Sequence, residues 1–400
     1  MPTTAELRTI IGSIAALVLA GLILALEIWT VVPGPTIPTL VLAIVVPEAA
    51  VWGVCICLAI IALVQGISRG WARVVATVLA AGALGCAIVP LCFVHGAIAE
   101  ADREMQLALG PDYAVAASDR ARARMLAVPF NPVTSFAGYS HDDAIRDDLA
   151  LRVIMRDGTR LRADLYRPGA DGPHPAVILI YGGAWRFGAR SDVAERARAY
   201  AALGYTTIAV DYRHAPAFHY PTQIEDVRDA IASIARHATD WDVDPSHVAI
   251  IGYSSGAELA LLAAYAPEPL TIKAVVAFYA PADLVQGYAL PPVPDPAGVR
   301  GILTAYIGGT PAQEPAKYIA ASPLAHVRAS LPPTLLIGGG RDELVRLAFQ
   351  HEMRDRLRVQ GVPVASIDLP WSNHAFDEVP NGLGGQIGRY YTERFLAATL

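Results

Sequence analysis

Three long runs without a charged residue occupy the first quarter of the sequence, at 9–26, 49–68 and 74–94. A helix rises about 1.5 Å per residue, so ~20 residues cross the hydrocarbon core of a bilayer. The runs predict three transmembrane helices, over about 9–30, 49–68 and 74–94, within an anchor formed by residues 1–96. A cleaved signal peptide is the alternative for the first run, but its apolar core would be shorter.

The segment between the first two runs leaves its conformation open. Residues 33–47 contain four prolines around the apolar piece 36–46, which is too short to cross a bilayer. The segment 33–48 could be an interfacial or re-entrant piece, or the kinked start of a long second helix.

The basic residues of the anchor predict its orientation. Arg8 precedes the first run, and Arg69 and Arg73 lie between the second and the third. The loop between the first two runs has no basic residue, and the chain after the third run opens with acidic residues. Because positive charge marks the cytoplasmic side, the N-terminus is expected in the cytoplasm and the chain after about residue 96 outside it.

The rest of the chain carries the net charge of −6, with 28 basic and 34 acidic residues. Such a chain lacks the basic surface that binds nucleic acid, so no nucleic-acid partner is expected. All four cysteines lie in the anchor, at 55, 57, 86 and 92. The soluble part therefore has no disulfide framework, no cysteine nucleophile and no thiolate for a zinc site.

From residue 149 to residue 400 the pattern alternates between short apolar runs and helical periodicity. The predicted strands are 149–155, 160–166, 176–180, 206–210, 248–251, 274–278, 334–337 and 362–369. The predicted helices are 192–203, 223–236, 254–264, 344–359 and 385–398. This alternation predicts an α/β domain with a mainly parallel sheet covered on both faces. Residues 97–148 are expected to form a linker with a helical portion, and the Pro- and Gly-rich stretch 283–330 a lid-like insertion.

The sequence Gly252-Tyr253-Ser254-Ser255-Gly256 lies between a predicted buried strand and a predicted helix. In that context G-x-S-x-G indicates a serine nucleophile on a sharp strand-to-helix turn. The central residue is Ser254, and the two glycines remove side chains that would clash in such a turn. The backbone N–H of Ser255, at the helix N-terminus, could stabilise an oxyanion. On this motif alone, an ordinary Gly/Ser turn remains the alternative.

A serine nucleophile needs a base, and three histidines follow Ser254 in the sequence. His351 falls within a helical pattern and His326 within the insertion. His374 follows the last predicted strand, at the sheet edge where catalytic groups gather, and is the predicted base.

In the sequence, the acid of the triad is expected after the serine and before the histidine. Asp342 follows the strand at 334–337 through three glycines, which makes it the predicted acid. Its neighbour Glu343 is the residue to exclude, and Asp377 lies too close to His374 in the sequence to be a comfortable partner.

A turn of small residues follows the strand at 176–180, in the stretch "YGGAW" at 181–185. Small residues there would allow backbone N–H groups to face a carbonyl oxygen, which stabilises an acyl-transfer transition state. Two glycines alone indicate no more than a turn.

Together these stretches resemble the α/β-hydrolase superfamily, and within it the hormone-sensitive-lipase and feruloyl-esterase-like (BD-FAE) branch of carboxylesterases. The resemblance covers roughly 150–398 and is carried by "YGGAW" at 181–185, "DYRHAPAFHYP" at 211–221, "GYSSG" at 252–256, "GGGRDELV" at 338–345 and "SNHAF" at 372–376. It implies a Ser254, Asp342 and His374 triad. It also implies an oxyanion hole formed by Gly183, Ala184 and Ser255.

The sequence departs from the branch at four positions. Tyr181 stands where the family has histidine, and Ala184 where the stricter motif has glycine. His214 replaces a leucine, and a packed or solvated side chain is its simplest interpretation. Glu258 replaces a small residue or a histidine and could be buried near the site or covered by a loop. The N-terminal part matches nothing in the branch's soluble members. Membrane-anchored versions of the branch resemble prenylcysteine methylesterases and membrane-bound bacterial esterases.

The predicted function is that of a membrane-anchored serine carboxylesterase or lipase, with a small-molecule or lipid ester as substrate and the bilayer as partner. No metal and no organic cofactor is required by this chemistry. Candidate pocket residues are Tyr181, Trp185, Tyr212 and Tyr253. An acyltransferase or peptidase with the same triad, and a non-catalytic membrane scaffold or sensor, remain alternatives.

Overall fold

The computed structural model describes residues 3–113, 122–138, 145–266 and 270–400. Its N-terminal part consists of four helices, α1 (Thr4–Glu27), α2 (Ile37–Glu48), α3 (Ala50–Ile67) and α4 (Gly70–Leu109). Three of them, α1, α3 and α4, are long and apolar enough to cross a membrane. This is compatible with the predicted membrane anchor.

The segment whose conformation the sequence left open forms the separate helix α2. Pro38 lies in its first turn, where its missing N–H costs no helical hydrogen bond, and Pro47 lies near its end. One face of α2 exposes Ile37, Val41 and Val45, four residues apart. The opposite face is buried against the rest of the protein.

Helix α4 extends 15 residues beyond residue 94, where the third apolar run ends. Its alanines at 72, 76, 80, 83 and 87 are buried in the helix bundle. After that, Val94, Ala97, Ala101 and Met105 pack into the main hydrophobic core. The first part of the predicted linker 97–148 is thus the end of a helix, while 114–121 and 139–144 lie outside the described residues.

The second part is built on one eight-stranded sheet in the order β1-β2-β4-β3-β5-β6-β7-β8. The strands are β1 (Arg146–Ile154), β2 (Arg160–Arg167), β3 (His174–Ile180), β4 (Thr206–Val210), β5 (Val243–Tyr253), β6 (Ile272–Phe278), β7 (Thr334–Gly339) and β8 (Val364–Leu369). The pairs β1–β2 and β2–β4 are antiparallel, and the other pairs are parallel. This confirms the predicted α/β class with a mainly parallel sheet.

The remaining helices cover the sheet and its carboxyl edge. They are α5 (Thr134–Ala137), α6 (Ala194–Ala202), α7 (Thr222–Arg236), α8 (Ser255–Ala264), α9 (Leu284–Ala289), α10 (Val299–Ile307), α11 (Pro315–Ala320), α12 (Leu347–Val359) and α13 (Leu383–Thr399). Helix α8 is buried over its whole length, at the centre of the fold. The stretch 283–330 contains α9, α10 and α11.

Candidate active site

Ser254 occupies a strained turn between β5 and α8. Its φ is +53° and its ψ −120°, a region that residues with a Cβ rarely adopt. The turn is held from both sides, because the Ser254 N–H donates to the carbonyl of Phe278 at 3.0 Å. The Ser254 carbonyl accepts from the N–H groups of Ala257 and Glu258 at 2.9 and 3.2 Å. Strain of this kind persists only where the surrounding structure over-determines it, and it places the hydroxyl above the sheet.

The two glycines of the motif are required by close backbone approach. A Cβ at Gly252 would lie 2.2 Å from the carbonyl oxygen of Gly256. A Cβ at Gly256 would lie 2.3 Å from the carbonyl oxygens of both Ile180 and Tyr181. The elbow thus brings α8 directly against the end of β3, from which the 181–188 loop begins.

Ser254, His374 and Asp342 form one hydrogen-bonded line across the carboxyl ends of β5, β8 and β7. The Ser254 Oγ lies 2.8 Å from the His374 Nε2, and the His374 Nδ1 lies 2.8 Å from an Asp342 carboxylate oxygen. With Nδ1 donating to the carboxylate, Nε2 is left as the acceptor for the serine hydroxyl. The other carboxylate oxygen of Asp342 accepts from the N–H groups of Leu344 and Val345 at 2.8 and 2.7 Å.

The histidines and acids that the sequence set aside have other contacts. His351 pairs with Asp368 at 2.6 Å, and His326 contacts the carbonyl of Ala320 at 2.8 Å. Glu343 braces the histidine loop, because its N–H donates to Asn373 at 3.0 Å and its carboxylate accepts from the Asn373 amide at 2.8 Å.

Behind His374 lies a buried group that the sequence did not indicate. The ring of Tyr279 lies 4.5 Å from the His374 ring, and its hydroxyl donates to Asp377. Asp377 forms an ion pair with Arg196 at 2.7 Å. Burial raises the pKa of Tyr279 well above its ordinary value, so the hydroxyl keeps its proton and its donor role. These residues come from three distant stretches, and no motif in the sequence connects them.

The loop after β3 presents free backbone donors. Gly183, Ala184 and Trp185 all have positive φ, at +126°, +54° and +56°. The Gly183 carbonyl accepts from the N–H groups of Arg186 and Phe187 at 2.9 and 3.0 Å, which closes a tight turn. Within the described residues the N–H groups of Gly183 and Ala184 have no acceptor. Ser255 is the first residue of α8, so its N–H has no partner within the helix.

Glu258 connects three elements of the site and is fully buried. Its carboxylate accepts from the Trp185 indole at 3.0 Å and from the Tyr306 hydroxyl at 3.1 Å. The Trp185 and Tyr306 rings stack at 4.1 Å. Burial raises the pKa of Glu258 well above its ordinary value. The residue therefore joins the elbow helix, the 181–188 loop and α10 of the insertion.

Tyr181, which stands at the family's histidine position, is held by two neighbours. Its ring stacks on Tyr212 at 4.6 Å, and its hydroxyl lies 2.9 Å from the His214 Nε2. Burial lowers the pKa of His214, which favours the neutral ring as a partner for the tyrosine hydroxyl. His214 is thus a packed residue, and it supports the tyrosine that replaces the family's histidine.

Two cavities meet at Ser254 and His374. A cleft of about 610 Å³ is lined by Tyr181, Tyr253, Phe187 and Ile37 of α2. A pocket of about 60 Å³ has mostly apolar walls, and Trp185 is one of them. Its other walls are Pro281, Leu284, Val299, Ile302, Leu303, Leu344, Val345 and Phe349. Of the four predicted pocket residues, Tyr181, Trp185 and Tyr253 line these cavities, whereas Tyr212 lies behind Tyr181.

Residues 163–357 match the model of the BD-FAE family. Over these residues the chain resembles the BD-FAE α/β-hydrolases. The chain is 30% identical over 266 residues to the "Probable carboxylic ester hydrolase LipM" of Mycobacterium tuberculosis, covering 62% of this chain and 59% of that protein. It is 29% identical to "Esterase LipQ" of the same organism, covering 51% of this chain and 50% of that protein.

Among solved structures, the fold is similar to that of the hyperthermophilic esterase from the archaeon Pyrobaculum calidifontis. The TM-score is 0.56 at 24% identity, and the match covers 63% of this chain and 85% of that one. This similarity confirms the α/β-hydrolase fold. The chain spans between half and three fifths of the length of the two curated relatives.

Proposed function

We propose that the protein is a serine carboxylic ester hydrolase. The observation that carries the proposal is the line from the Ser254 Oγ through His374 to Asp342, with both distances at 2.8 Å. The names of the curated relatives, an ester hydrolase and an esterase, support the same reaction.

The first step of the proposed reaction is acyl transfer to Ser254. The hydroxyl oxygen attacks the ester carbonyl while its proton passes to the His374 Nε2. Asp342 holds the Nδ1 proton and stabilises the imidazolium that forms. When the tetrahedral intermediate collapses, the carbon–oxygen bond to the alcohol breaks, and the alcohol leaves with the proton from Nε2. The acyl group remains on the Ser254 oxygen.

The N–H groups of Gly183, Ala184 and Ser255 are the proposed donors to the oxyanion of each tetrahedral intermediate. Preorganised donors of this kind cost no reorganisation when the charge develops. The dipole of α8, which begins at Ser255, favours negative charge at the same point.

Water completes the cycle. It attacks the acyl carbonyl, gives a proton to His374, and the second intermediate releases the carboxylic acid and returns the proton to Ser254. This step needs no reactant other than water and the acyl-enzyme.

The enzyme is proposed to be anchored by α1, α3 and α4 with its N-terminus in the cytoplasm and its catalytic domain outside. A membrane-impermeant maleimide on intact cells should then label Ala170→Cys, an exposed position, without lysis. The unsubstituted protein, which retains its four native cysteines, gives the background. Labelling that appears only after lysis would place the catalytic domain in the cytoplasm and contradict the proposed orientation.

Ser254→Ala tests the nucleophile in the full-length protein in detergent. The variant should lose hydrolysis of p-nitrophenyl acetate and labelling by a fluorophosphonate probe while keeping the melting temperature of the parent. Ser255→Ala is the matched control, because Ser255 is expected to act through its backbone and should still be labelled. Labelling of Ser254→Ala at the parent's rate would refute the assignment.

A further inference from the structure

The level of the bilayer can be located on α4. Six exposed large apolar side chains of this helix lie between Trp71 and Phe93. That stretch has a length of about 33 Å, close to the thickness of the hydrocarbon core. From Val94 onward the helix packs into the core of the catalytic domain. The bilayer surface on the catalytic side is therefore near residue 93.

The edge strand β8 points toward that surface. Its middle residue Ser366 donates its N–H to Glu104 on α4 at 2.8 Å, eleven residues beyond Phe93. Farther along the chain, the Ser372 hydroxyl donates to Glu48 at 2.5 Å, and Glu48 lies just before α3 begins at Ala50. Since α3 is one of the membrane helices, the chain approaches the bilayer as it passes from Ser366 to Ser372.

Helix α13 gives the same direction independently. Near its start, the Gly384 N–H donates to Glu48 at 2.5 Å. About two turns later, the Tyr391 hydroxyl contacts the Ile98 carbonyl at 3.1 Å and Asp102 at 2.8 Å, both beyond Phe93 on α4. The carboxyl edge of the sheet, where Ser254 and His374 lie, is therefore turned toward the bilayer.

The anchor also forms part of the cleft itself. Ile37, at the start of α2, lines the cleft together with Ser254 and His374. Just before it, the Gly34 N–H donates to the buried carboxylate of Glu343 at 2.9 Å, which fixes this segment against the acid loop. From the cleft outward, Ile37, Val41 and Val45 form an apolar stripe with exposed fractions of 52%, 51% and 42%.

We propose that the substrate is a lipid ester held in the leaflet on the side of the catalytic domain, and that it reaches Ser254 along the apolar stripe of α2. The inference rests on the proposed ester hydrolysis and names the substrate class of the same site. Helix α2 lies in the chain between α1 and α3, which are both long and apolar enough to cross a membrane, so the bilayer is the apolar surface available to the stripe. An apolar helix face that is exposed at this level is expected to lie against the acyl chains.

Each of the two cavities fits a different part of such a substrate. The pocket of about 60 Å³ holds a short group on one side of the ester. The cleft of about 610 Å³, bordered by Ile37, holds the long chain on the other side and leads it to the bilayer. The long chain can belong to the alcohol or to the acid, so both kinds of ester enter the test.

The full-length protein in phosphatidylcholine vesicles is tested with three substrates. Hexadecyl acetate and methyl palmitate are embedded in the bilayer, and p-nitrophenyl acetate is supplied in water. Hydrolysis of p-nitrophenyl acetate together with at least one of the lipid esters is the expected result. Hydrolysis of the soluble ester without either lipid ester would overturn the lipid inference and leave the proposed function standing. Failure on all three substrates would overturn the proposed function itself.

Val41→Asp is the decisive variant, since Val41 lies on the stripe but outside the cleft. A carboxylate there is costly at the bilayer surface, so the ratio of lipid-ester to soluble-ester hydrolysis should fall about tenfold. Val359→Asp is the matched control, because Val359 is exposed at the end of α12 and lines neither cavity, so its ratio should equal that of the parent. An unchanged ratio in Val41→Asp would contradict the inference even if lipid esters are cleaved.

Discussion

The Glu48 carboxylate lies 2.5 Å from the hydroxyl of Ser372, which joins the end of α2 to the loop that carries His374. The same carboxylate accepts from the Gly384 N–H, so one buried residue of the anchor holds both ends of the 372–384 segment. The N-terminal part is therefore a component of the catalytic domain's structure as well as its proposed membrane anchor. A fragment without it would expose these contacts and loosen the histidine loop.

This contact predicts a pH-dependent stability. Burial raises the pKa of Glu48 from 4.5 to about 7, so the folded protein holds this proton more tightly than the unfolded chain does. The resulting stabilisation is present below pH 4.5 and is lost as the pH rises to about 7, by up to about 3 kcal/mol. Glu48→Gln lacks the titration. Its melting temperature relative to the parent should be higher at pH 8 than at pH 5.

The control for this prediction is Glu100→Gln, an exposed position on α4. Its melting temperature relative to the parent should be the same at pH 5 and pH 8. If the melting temperature of Glu48→Gln relative to the parent is also the same at the two pH values, burial does not raise the pKa of Glu48.

Asp342→Asn should lower kcat for p-nitrophenyl acetate about 10,000-fold with little change in KM, because the amide stabilises the wrong histidine tautomer. Glu343→Gln is the adjacent control. The amide oxygen can still accept from Asn373, so kcat should fall only a few-fold, by less than about 1.4 kcal/mol in the barrier. A larger loss in Glu343→Gln than in Asp342→Asn would reverse the choice of acid.

The local parts of this structure could be predicted from the sequence. The runs at 176–180 and 206–210 are entirely apolar or β-branched because β3 and β4 are buried on both faces. The spacing of Gly252 and Gly256 around Ser254 reflects close contacts within one elbow. Such features depend on residues near one another in the chain, which is why patterns capture them.

The contacts between distant stretches could not be predicted in this way. Glu48 and Ser372 are 324 residues apart, and each looks unremarkable in its own segment. The sequence predicted a helical portion within 97–148 but not that it continues α4, because apolar composition marks only the first part of α4 and the remainder of the helix is polar on one side. Glu258 stood out as a departure from a family pattern, but its partners Trp185 and Tyr306 follow only from the position of the insertion.

The close backbone contacts of the elbow predict that any side chain at position 256 is strongly destabilising. Gly256→Ala would place a Cβ 2.3 Å from two backbone carbonyl oxygens at the end of β3, and backbone cannot yield as a flexible side chain can. We expect a loss of at least about 1–3 kcal/mol in stability and loss of activity, since the 181–188 loop begins at this point. Gly301→Ala in α10 meets no atom within 4 Å and is the control, with unchanged or slightly higher melting temperature. Equal melting temperatures of the two variants would contradict this account of the elbow.

Glu258 is predicted to position the oxyanion loop. In Glu258→Leu the Trp185 indole and the Tyr306 hydroxyl would lose their acceptor inside the protein, at a cost of about 1–3 kcal/mol each. Because Trp185 follows Ala184, the loosened loop should lower kcat about tenfold while KM stays within two- to threefold, the signature of an interaction made mainly in the transition state. Glu258→Gln retains an acceptor oxygen and should recover most of kcat. A purely structural role would instead lower the melting temperature of both variants without lowering kcat selectively over KM. Steady-state kinetics on p-nitrophenyl acetate and thermal melting of the parent and the two variants decide between these roles, because equal kcat values in Glu258→Leu and the parent would exclude positioning.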